Sequence, residues 1–164
     1  NRNPYRGFLY VGLMIKNNEP YLIEYNVRMG DPECQVILPR LQTDLVKIIQ
    51  NTISNNLFKT KIVWQNKKCM TIVLCAKGYP RAYKKNLIIK NLSKIKENKN
   101  TLVFHAGTKI NNNELVSVGG RVLNFVTLGH NFLKIRKKTI KMLKKLNWKG
   151  GFYRKDIGWK VIDR

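Results

Sequence analysis

The 164-residue sequence predicts a mixed α/β (α+β) fold in two parts. Three observations predict it: two apolar runs joined by a polar connector, a later series of short apolar runs separated by turn residues, and one amphipathic segment near the end. Residues 1–55 are expected to contain a hairpin and helices. Residues 56–164 are expected to form a small, mostly antiparallel sheet with one covering helix.

The beginning of the chain predicts a β-hairpin. Apolar residues dominate 7–16 and again 20–26, and the connector Lys16-Asn17-Asn18-Glu19-Pro20 is polar and ends in proline. A polar connector between two β-rich runs is typical of a hairpin. We therefore expect two antiparallel strands here.

Two helices are expected after the hairpin. Asp31 before Pro32 predicts a helix with Asp31 as N-cap and Pro32 at the first helical position, and Glu33 then lies near the positive end of the helix dipole. Pro39 is expected to end that helix early. A second helix is predicted over about residues 42–55, where apolar residues recur at helical spacing.

Short apolar runs predict the sheet of the second part. The predicted strands are 69–76, 87–89, 101–106, 114–118 and 121–127. Regular strands broken by glycine and other turn residues are typical of an antiparallel sheet. His105 lies in one of these strands and is expected to be a hydrogen-bonded core or interface residue rather than a base.

Residues 131–146 predict one amphipathic helix. Its apolar stripe consists of Phe132, Leu133, Thr139, Ile140, Leu143 and Leu146, and most of its lysines lie off that stripe. A basic amphipathic helix can bind membranes or partners. Because the predicted strands need a cover layer, we expect the apolar face to pack on the sheet and the lysines to face solvent.

The net charge leaves two interpretations open. The chain carries 32 Lys and Arg against 9 Asp and Glu, a formal charge of +23. Such a charge is compatible with a basic nucleic-acid-binding module. However, lysine dominates over arginine, and the cations are scattered rather than gathered with aromatic residues, so a solvated basic surface is favoured and nucleic acid is not the expected partner.

Composition also excludes several classes of protein. No apolar run approaches the ~18–20 residues of a membrane-spanning helix, so no membrane association is expected. Cys34, Cys69 and Cys75 include no C-x-x-C pair. Their number and spacing argue against a disulfide framework or a zinc site and fit a reducing, cytoplasmic compartment.

Residues 24–33 carry the chemistry. Glu24 and Asn26 are two apart at the end of an apolar strand, so their side chains point to the same side. One carboxylate and one amide oxygen, completed by water and substrate phosphates, suit a hard divalent cation such as Mg²⁺. Arg28 would project nearby if the extended backbone continued, and its guanidinium could hold a transferring phosphoryl group. The turn at Gly30, with the acids after it, could receive a cationic amine.

Five blocks of sequence carry a resemblance to a known family. They are Glu24–Glu33 preceded by Leu9–Met14, Ala76–Pro80, Val103–Thr108, Gly119–Leu123 and Tyr153–Gly158. In this order, across nearly the whole chain, they closely resemble the glycinamide ribonucleotide synthetase (phosphoribosylamine–glycine ligase) family of ATP-grasp ligases. A lone Glu-x-Asn-x-Arg would be shared with biotin carboxylase and other ATP-grasp relatives.

The resemblance implies a fold and a reaction. Residues 1–55 would be the C-terminal part of the ATP-grasp nucleotide-binding domain, and residues 56–164 the C-terminal domain of the ligase. ATP would phosphorylate the carboxylate of glycine, and the amine of 5-phosphoribosylamine would attack the acyl-phosphate. The products would be glycinamide ribonucleotide, ADP and phosphate, in purine synthesis. A different ATP-grasp carboxylate–amine ligase is the nearest alternative.

The resemblance also implies roles for residues near the hairpin. Glu24 and Asn26 would hold Mg²⁺ (or Mn²⁺) against the phosphates of ATP, so Glu24 is counted with the nucleotide site as well. Leu13 or Met14 would pack near the adenine. Arg28, the expected catalytic residue, would contact the oxygens of the phosphoryl group or of the acyl-phosphate.

Further candidates are expected to bind the other substrates. Gly30, Asp31 and Glu33 fall in the region that would accept the amine. Arg121 and Arg154 are candidates for substrate phosphate or for an interdomain ion pair.

The chain is expected to be part of a longer enzyme. Its first residues lead directly into an apolar run, as in the middle of a domain. The glycine-rich phosphate lid, the nucleotide-binding lysines and the N-terminal substrate domain of the family would precede Asn1. We therefore expect this chain alone to be inactive.

Overall fold

The computed structural model describes residues 3–162, which form two compact units. The first unit ends at Gln65 and the second begins at Asn66. The predicted assignment of residues 1–55 and 56–164 to two domains stays a prediction. Residues 56–65 lie in the first compact unit.

The first unit begins with the predicted hairpin. Strand β1 (Tyr10–Lys16) pairs with β2 (Glu19–Asn26) in antiparallel register. The turn residues Asn17 and Asn18 have φ values of 51° and 65°. Two successive left-handed residues match the right-handed twist of a hairpin, and asparagine tolerates this conformation better than most side chains. The hairpin prediction is confirmed.

The helix after the hairpin differs from the prediction. Helix α1 spans Cys34–Ile37, with Glu33 at the N-cap position and no side-chain cap. Asp31 as N-cap, with Pro32 at the first helical position, is therefore wrong. The first helical amide, that of Cys34, donates to the carbonyl of Gly30 at 2.9 Å. A short 3₁₀ turn, Leu38–Arg40, follows α1 and contains Pro39.

The second predicted helix is present but shorter. Helix α2 spans Leu45–Ile53, and the Asp44 side chain caps it by accepting from the Lys47 amide at 3.1 Å. After a further 3₁₀ turn, Leu57–Lys59, the chain runs back beside the segment that precedes α2. An isolated bridge joins Leu41 to Trp64 there. This return explains why residues 56–65 belong to the first unit.

The second unit is built on antiparallel sheets, as predicted. Its strands are β3 (Lys68–Ala76), β4 (Leu87–Ile88), β5 (Thr101–His105), β6 (Thr108–Asn111), β7 (Glu114–Ser117), β8 (Arg121–Gly129) and β9 (Gly151–Phe152). One sheet has the order β5-β8-β3-β9 and the other β4-β7-β6. The core includes the fully buried Ile72, Val122 and Phe125. Strands β6 and β9 were not predicted.

Helix α3 (Phe132–Leu146) covers β8 and β3, which confirms the predicted cover layer. The Asn131 side chain caps it by accepting from the Lys134 amide at 3.0 Å. Two buried residues, Ile135 and Met142, were missing from the predicted stripe, and Leu133 is 40% exposed rather than buried. The predicted solvent-facing lysines are exposed: Lys134, Lys137, Lys138, Lys141, Lys144 and Lys145.

The structure also describes the helices and the three cysteines on which the sequence analysis drew. Across residues 3–162, no helix is long and apolar enough to cross a membrane. Cys34, Cys69 and Cys75 are half-buried, and none of them forms a disulfide bond within residues 3–162. The thiol of Cys75 has its pKa raised by burial, an effect that the nearby positive charge of Arg121 partly offsets.

A buried amide in β8 leads to a stability prediction. Asn124 is 1% exposed, and in the described part of the chain neither atom of its side-chain amide has a hydrogen-bond partner. An unpaired buried polar group costs about 1–3 kcal/mol. We therefore expect Asn124→Leu, of similar size, to raise the free energy of unfolding by about 1–3 kcal/mol, measured by urea denaturation. Asn124→Asp should lower it, and a marked loss of stability in the leucine variant would contradict the prediction.

Candidate active site

Glu24 and Asn26 form a hydrogen-bonded pair at the end of β2. The Asn26 side-chain nitrogen Nδ2 donates to Glu24 Oε1 at 2.9 Å. Glu24 is exposed and Asn26 is half-buried. The pair therefore presents a carboxylate and the remaining oxygen of an amide, Oδ1, from one side of the strand, as the alternation of the sequence predicts.

A glycine across the hairpin accommodates this pair. Gly12 lies opposite Glu24, and a Cβ atom added at Gly12 would lie 3.1 Å from Glu24 Cγ. The Glu24 side chain thus rests on backbone that a larger residue would crowd. Sequence reasoning did not assign Gly12 a role, although a glycine inside a strand often marks such a close approach.

The donor set fits a partly hydrated divalent cation. Within residues 3–162, no group of three or more His, Cys, Asp and Glu side chains could hold a metal ion. Glu24 and Asn26 offer two oxygen ligands, which is too few for a closed protein cage. Mg²⁺ commonly keeps several waters and takes one or two protein ligands together with substrate phosphates. The pair is compatible with such a site.

Arg28 does not lie on the strand. Strand β2 ends at Asn26, and a bend follows at residues 27–28. The extended backbone therefore does not continue to Arg28, and strand alternation does not place its side chain beside Glu24. The Arg28 side chain is exposed, and its Nη1 donates to the carbonyl of Met29 at 3.0 Å. A guanidinium carries five N–H groups, so this local bond leaves most of its donors for an anion.

The acidic turn after Arg28 is partly closed by Glu33. Gly30 is buried, and a Cβ atom added there would lie 2.1 Å from Glu33 Oε2. The carboxylate of Glu33 is therefore folded over the backbone of Gly30, whereas Asp31 is exposed. Of the two acids, Asp31 is the more accessible to a substrate.

The two apolar nucleotide candidates lie on opposite faces of the hairpin. Successive side chains in a strand alternate between faces, so Leu13 and Met14 project to opposite sides of β1. The register of the two strands shifts between Gly12 and Leu13, so the pairing of Gly12 with Glu24 does not show which of the two shares the side of Glu24. Both are strongly exposed, Leu13 by 50% and Met14 by 57%. Which of the two packs near an adenine stays a prediction.

An apolar cavity of about 270 Å³ lies in the same unit. Its lining includes Arg28, Gly30, Leu38, Ile48 and Trp64. Neither Glu24 nor Asn26 lines it. The two proposed oxygen ligands therefore do not line the cavity, whereas Tyr10, which lies opposite Asn26, and the candidates Arg28 and Gly30 do.

The candidates of the second unit have partners within that unit. Arg154 forms a bidentate ion pair with Asp156: Nε to Oδ1 at 3.1 Å and Nη2 to Oδ2 at 2.5 Å. This pairing raises the pKa of Arg154 and lowers that of Asp156. The second arginine candidate, Arg121, begins β8 and lies opposite Cys75. His105 is hydrogen-bonded as expected, with Nδ1 at 2.8 Å from Thr108 Oγ1. It is exposed, so the core alternative is wrong, and the interface alternative stays a prediction.

Comparison with known proteins identifies the family. The family described as "Phosphoribosylglycinamide synthetase, C domain" matches residues 69–160, more than half of the chain. The chain belongs to the phosphoribosylglycinamide synthetase family. The ATP-grasp (A) domain of the same synthetase matches residues 1–34, which include Glu24 and Asn26.

Similarity to known proteins extends over nearly the whole length of the chain. It is 44% identical over 162 residues to a phosphoribosylamine–glycine ligase of Agrobacterium fabrum, covering 99% of this chain and 38% of the relative. It is 41% identical over 160 residues to the trifunctional purine biosynthetic protein adenosine-3 of Gallus gallus, covering 97% of this chain and 16% of the relative. The crystal structure of phosphoribosylamine–glycine ligase from Thermotoga maritima matches with a TM-score of 0.77 and 34% identity, over 93% of this chain and 37% of that one.

These matches confirm the family resemblance and the α/β (α+β) fold of ATP-grasp type for this chain. The chain spans about 38% of the length of the Agrobacterium relative. The roles of the individual site residues stay predictions.

Proposed function

We propose that this chain works as part of an enzyme that ligates glycine to 5-phosphoribosylamine with ATP, giving glycinamide ribonucleotide, ADP and phosphate. The observation that carries the proposal is 44% identity to a phosphoribosylamine–glycine ligase over 99% of this chain. The hydrogen-bonded Glu24–Asn26 pair, within the matched ATP-grasp segment, supports it. Such an enzyme would work in purine synthesis in the cytoplasm.

The two alternatives have less support. A basic nucleic-acid-binding module would explain the charge of +23, but the similar proteins are ligases or a purine biosynthetic protein. A different ATP-grasp carboxylate–amine ligase would share the metal pair. It would not be expected to match the synthetase C domain over residues 69–160.

Glu24 and Asn26 are the proposed ligands of Mg²⁺ or Mn²⁺. The ion would neutralise charge on the ATP phosphates during transfer. Glu24 contributes the anionic oxygen and Asn26 the neutral one, and their mutual hydrogen bond at 2.9 Å holds the two side chains together. Gly12 keeps space for Glu24 against the opposite strand.

Arg28 and either Leu13 or Met14 are the proposed contacts for the rest of the nucleotide site. The exposed guanidinium of Arg28 would bind oxygens of the transferring phosphoryl group and of the glycyl phosphate, where negative charge accumulates. Leu13 or Met14, both exposed on β1, would pack near the adenine. Catalysis would then consist mainly of positioning and charge neutralisation.

Binding of the amine substrate is assigned to two regions. Asp31, with Gly30 and Glu33 beside it, would receive the amine. Arg121 and Arg154 are proposed to bind substrate phosphate or to form an interdomain ion pair. Arg154 would need to loosen its bidentate bond to Asp156 before it could bind phosphate with the same donors.

The acyl-phosphate route can be tested by isotope transfer. A glycine carboxylate oxygen attacks the γ-phosphorus and releases ADP, and the amine nitrogen then attacks the glycyl carbon and expels phosphate. The expelled phosphate keeps that carboxylate oxygen. In the longer enzyme, glycine labelled with ¹⁸O in its carboxylate should therefore transfer one label per turnover to phosphate, measured by mass spectrometry. Unlabelled phosphate would contradict the route.

A further inference from the structure

Tyr10 lies directly across the hairpin from the proposed metal pair. In the antiparallel register Tyr10 is opposite Asn26, and Gly12 is opposite Glu24. Residues two apart on a strand share a face, and so do opposite residues of paired strands. These four residues therefore lie on one face at this end of the hairpin. The pattern of the sequence gives Tyr10 no role there, but its position in the fold does.

The side chains of Tyr10 and Glu24 border the same space above Gly12. A Cβ atom added at Gly12 would lie 3.1 Å from Glu24 Cγ and 3.6 Å from Tyr10 Cε1. Gly12 itself is buried, and Tyr10 is half-buried. The aromatic ring of Tyr10 therefore forms a wall on one side of the space that the Glu24 side chain occupies.

A break in the strand pairing lies on the other side of Glu24. The register shifts between Gly12 and Leu13, and Ile23, the residue before Glu24, is left out of it. Such a bulge interrupts the ladder of hydrogen bonds and increases the local twist. Regular cross-strand neighbours therefore support the metal pair from the side of Tyr10, and not from the side of the bulge.

A rigid wall favours the hydrogen-bonded arrangement of the pair. Asn26 Nδ2 donates to Glu24 Oε1 at 2.9 Å. Both side chains have several rotamers, and near the surface water competes for their hydrogen bond. An aromatic ring opposite Asn26 packs against its cross-strand partner and shields one side of the bond from water. Removal of the ring would free both side chains to turn away from each other.

We propose that Tyr10 is a positioning residue of the metal site: its ring keeps Glu24 and Asn26 in the arrangement that presents two oxygens to one divalent cation. The inference rests on the proposed function, since it takes the pair as the ligands of that ion. Neighbours that orient ligands without touching the ion contribute about 10- to 100-fold to metal affinity or activity. The role belongs to the ring rather than to the hydroxyl, so phenylalanine should fill it.

The first measurement needs no activity. In the longer enzyme labelled with ¹⁵N-asparagine, the side-chain amide signals of Asn26 report its bond to Glu24, and Glu24→Ala gives their positions when that bond is absent. The variants are Tyr10→Ala and Tyr10→Phe. The matched control is Tyr25→Ala, which removes the same ring from the residue between the two ligands, on the opposite face of β2. We expect the Asn26 signals to move to the Glu24→Ala positions in Tyr10→Ala and to stay in place in the other two.

The second measurement is the Mg²⁺ concentration for half-maximal rate. Tyr10→Ala should raise it about tenfold, as expected for a residue that orients ligands. At saturating Mg²⁺ its kcat should stay within about threefold of the parent enzyme, because excess ion fills the loosened site. Tyr10→Phe and Tyr25→Ala should change the Mg²⁺ requirement less than about twofold, since both keep the ring or its equivalent beside the pair.

Several results would overturn the positioning role: unmoved Asn26 signals in Tyr10→Ala, equal movement in Tyr25→Ala, or moved signals with an unchanged Mg²⁺ requirement. If the thermal melt shows that Tyr10→Ala does not fold, Tyr10→Leu, which keeps apolar bulk without a flat ring, takes its place. Signals that move as expected in an enzyme whose parent shows no glycine-dependent phosphate release would contradict the proposed function and leave the positioning of the pair by Tyr10 supported.

Discussion

Glu24→Ala and Asn26→Ala, made in the longer enzyme, are each expected to lower kcat by about 10²- to 10³-fold, because each removes one of two protein oxygens that position the cation on the ATP phosphates. Neither change should unfold the protein, since Glu24 is exposed and Asn26 is only half-buried. The measurements are steady-state kinetics and a thermal melt of each variant.

The same strand supplies a matched control. Glu19 is an exposed acid at the other end of β2, opposite Lys16. Glu19→Ala removes the same charge and should leave kcat within about twofold of the parent enzyme, as expected for an exposed charge away from the reaction. Equal losses in Glu19→Ala and Glu24→Ala would show that the effect is one of general charge rather than of metal binding.

A metal titration separates ligation from other roles. Asn26→Asp keeps an oxygen ligand, so it should retain more activity than Asn26→Ala. Both alanine variants should need a higher concentration of Mg²⁺ or Mn²⁺ for half-maximal rate. An unchanged metal requirement together with a reduced kcat would contradict the assignment of the pair as metal ligands.

Gly107→Ala is expected to destabilise the second unit by about 3 kcal/mol or more, because the new methyl group would meet fixed backbone. A Cβ atom at Gly107 would lie 2.5 Å from the Cα of Gly119 and 2.7 Å from the carbonyl oxygen of Arg121. These contacts cannot be relieved by a side-chain rotation. They occur where β5 leads to β6 and where β8 begins, so the strain would fall on both sheets.

The control for Gly107 is Gly129→Ala, at the end of β8. The nearest atom to its added Cβ is Ile135 Cγ1 at 3.2 Å, which belongs to a side chain that can shift. We expect a change of less than about 1 kcal/mol there. Urea denaturation followed by circular dichroism compares the two variants. A small effect of Gly107→Ala would mean that the two backbone segments are not closely packed.

The local signals of the sequence predicted the regular elements well. The polar connector predicted the first hairpin, and helical spacing predicted α3 within one residue of its bounds. Strand β6 was missed because its four residues include a single strongly apolar one, Ile110. A usable signal was present: Asn112 and Asn113, with φ values of 46° and 62°, repeat the Asn-Asn turn of the first hairpin.

The sequence predicted only those parts of the site whose residues lie on one strand. Glu24 and Asn26 lie on one strand, so alternation alone places them together. The bend before Arg28 and the folding of Glu33 over Gly30 depend on contacts that no spacing rule encodes. His105 was expected in a core or an interface because its neighbours in sequence are apolar, but its side chain is exposed. The role of Gly12 emerges only from the pairing of the two strands.

The most direct measurement compares this chain alone with the same chain joined to an N-terminal ATP-grasp portion from a relative such as the Agrobacterium ligase. Phosphate release is followed with ATP and 5-phosphoribosylamine, with and without glycine. We predict glycine-dependent phosphate release by the joined polypeptide, its loss in Glu24→Ala, and none from this chain alone, because the chain spans only 38% of that relative. Turnover by the chain alone, or a well-folded joined polypeptide without glycine-dependent release, would contradict the proposed function.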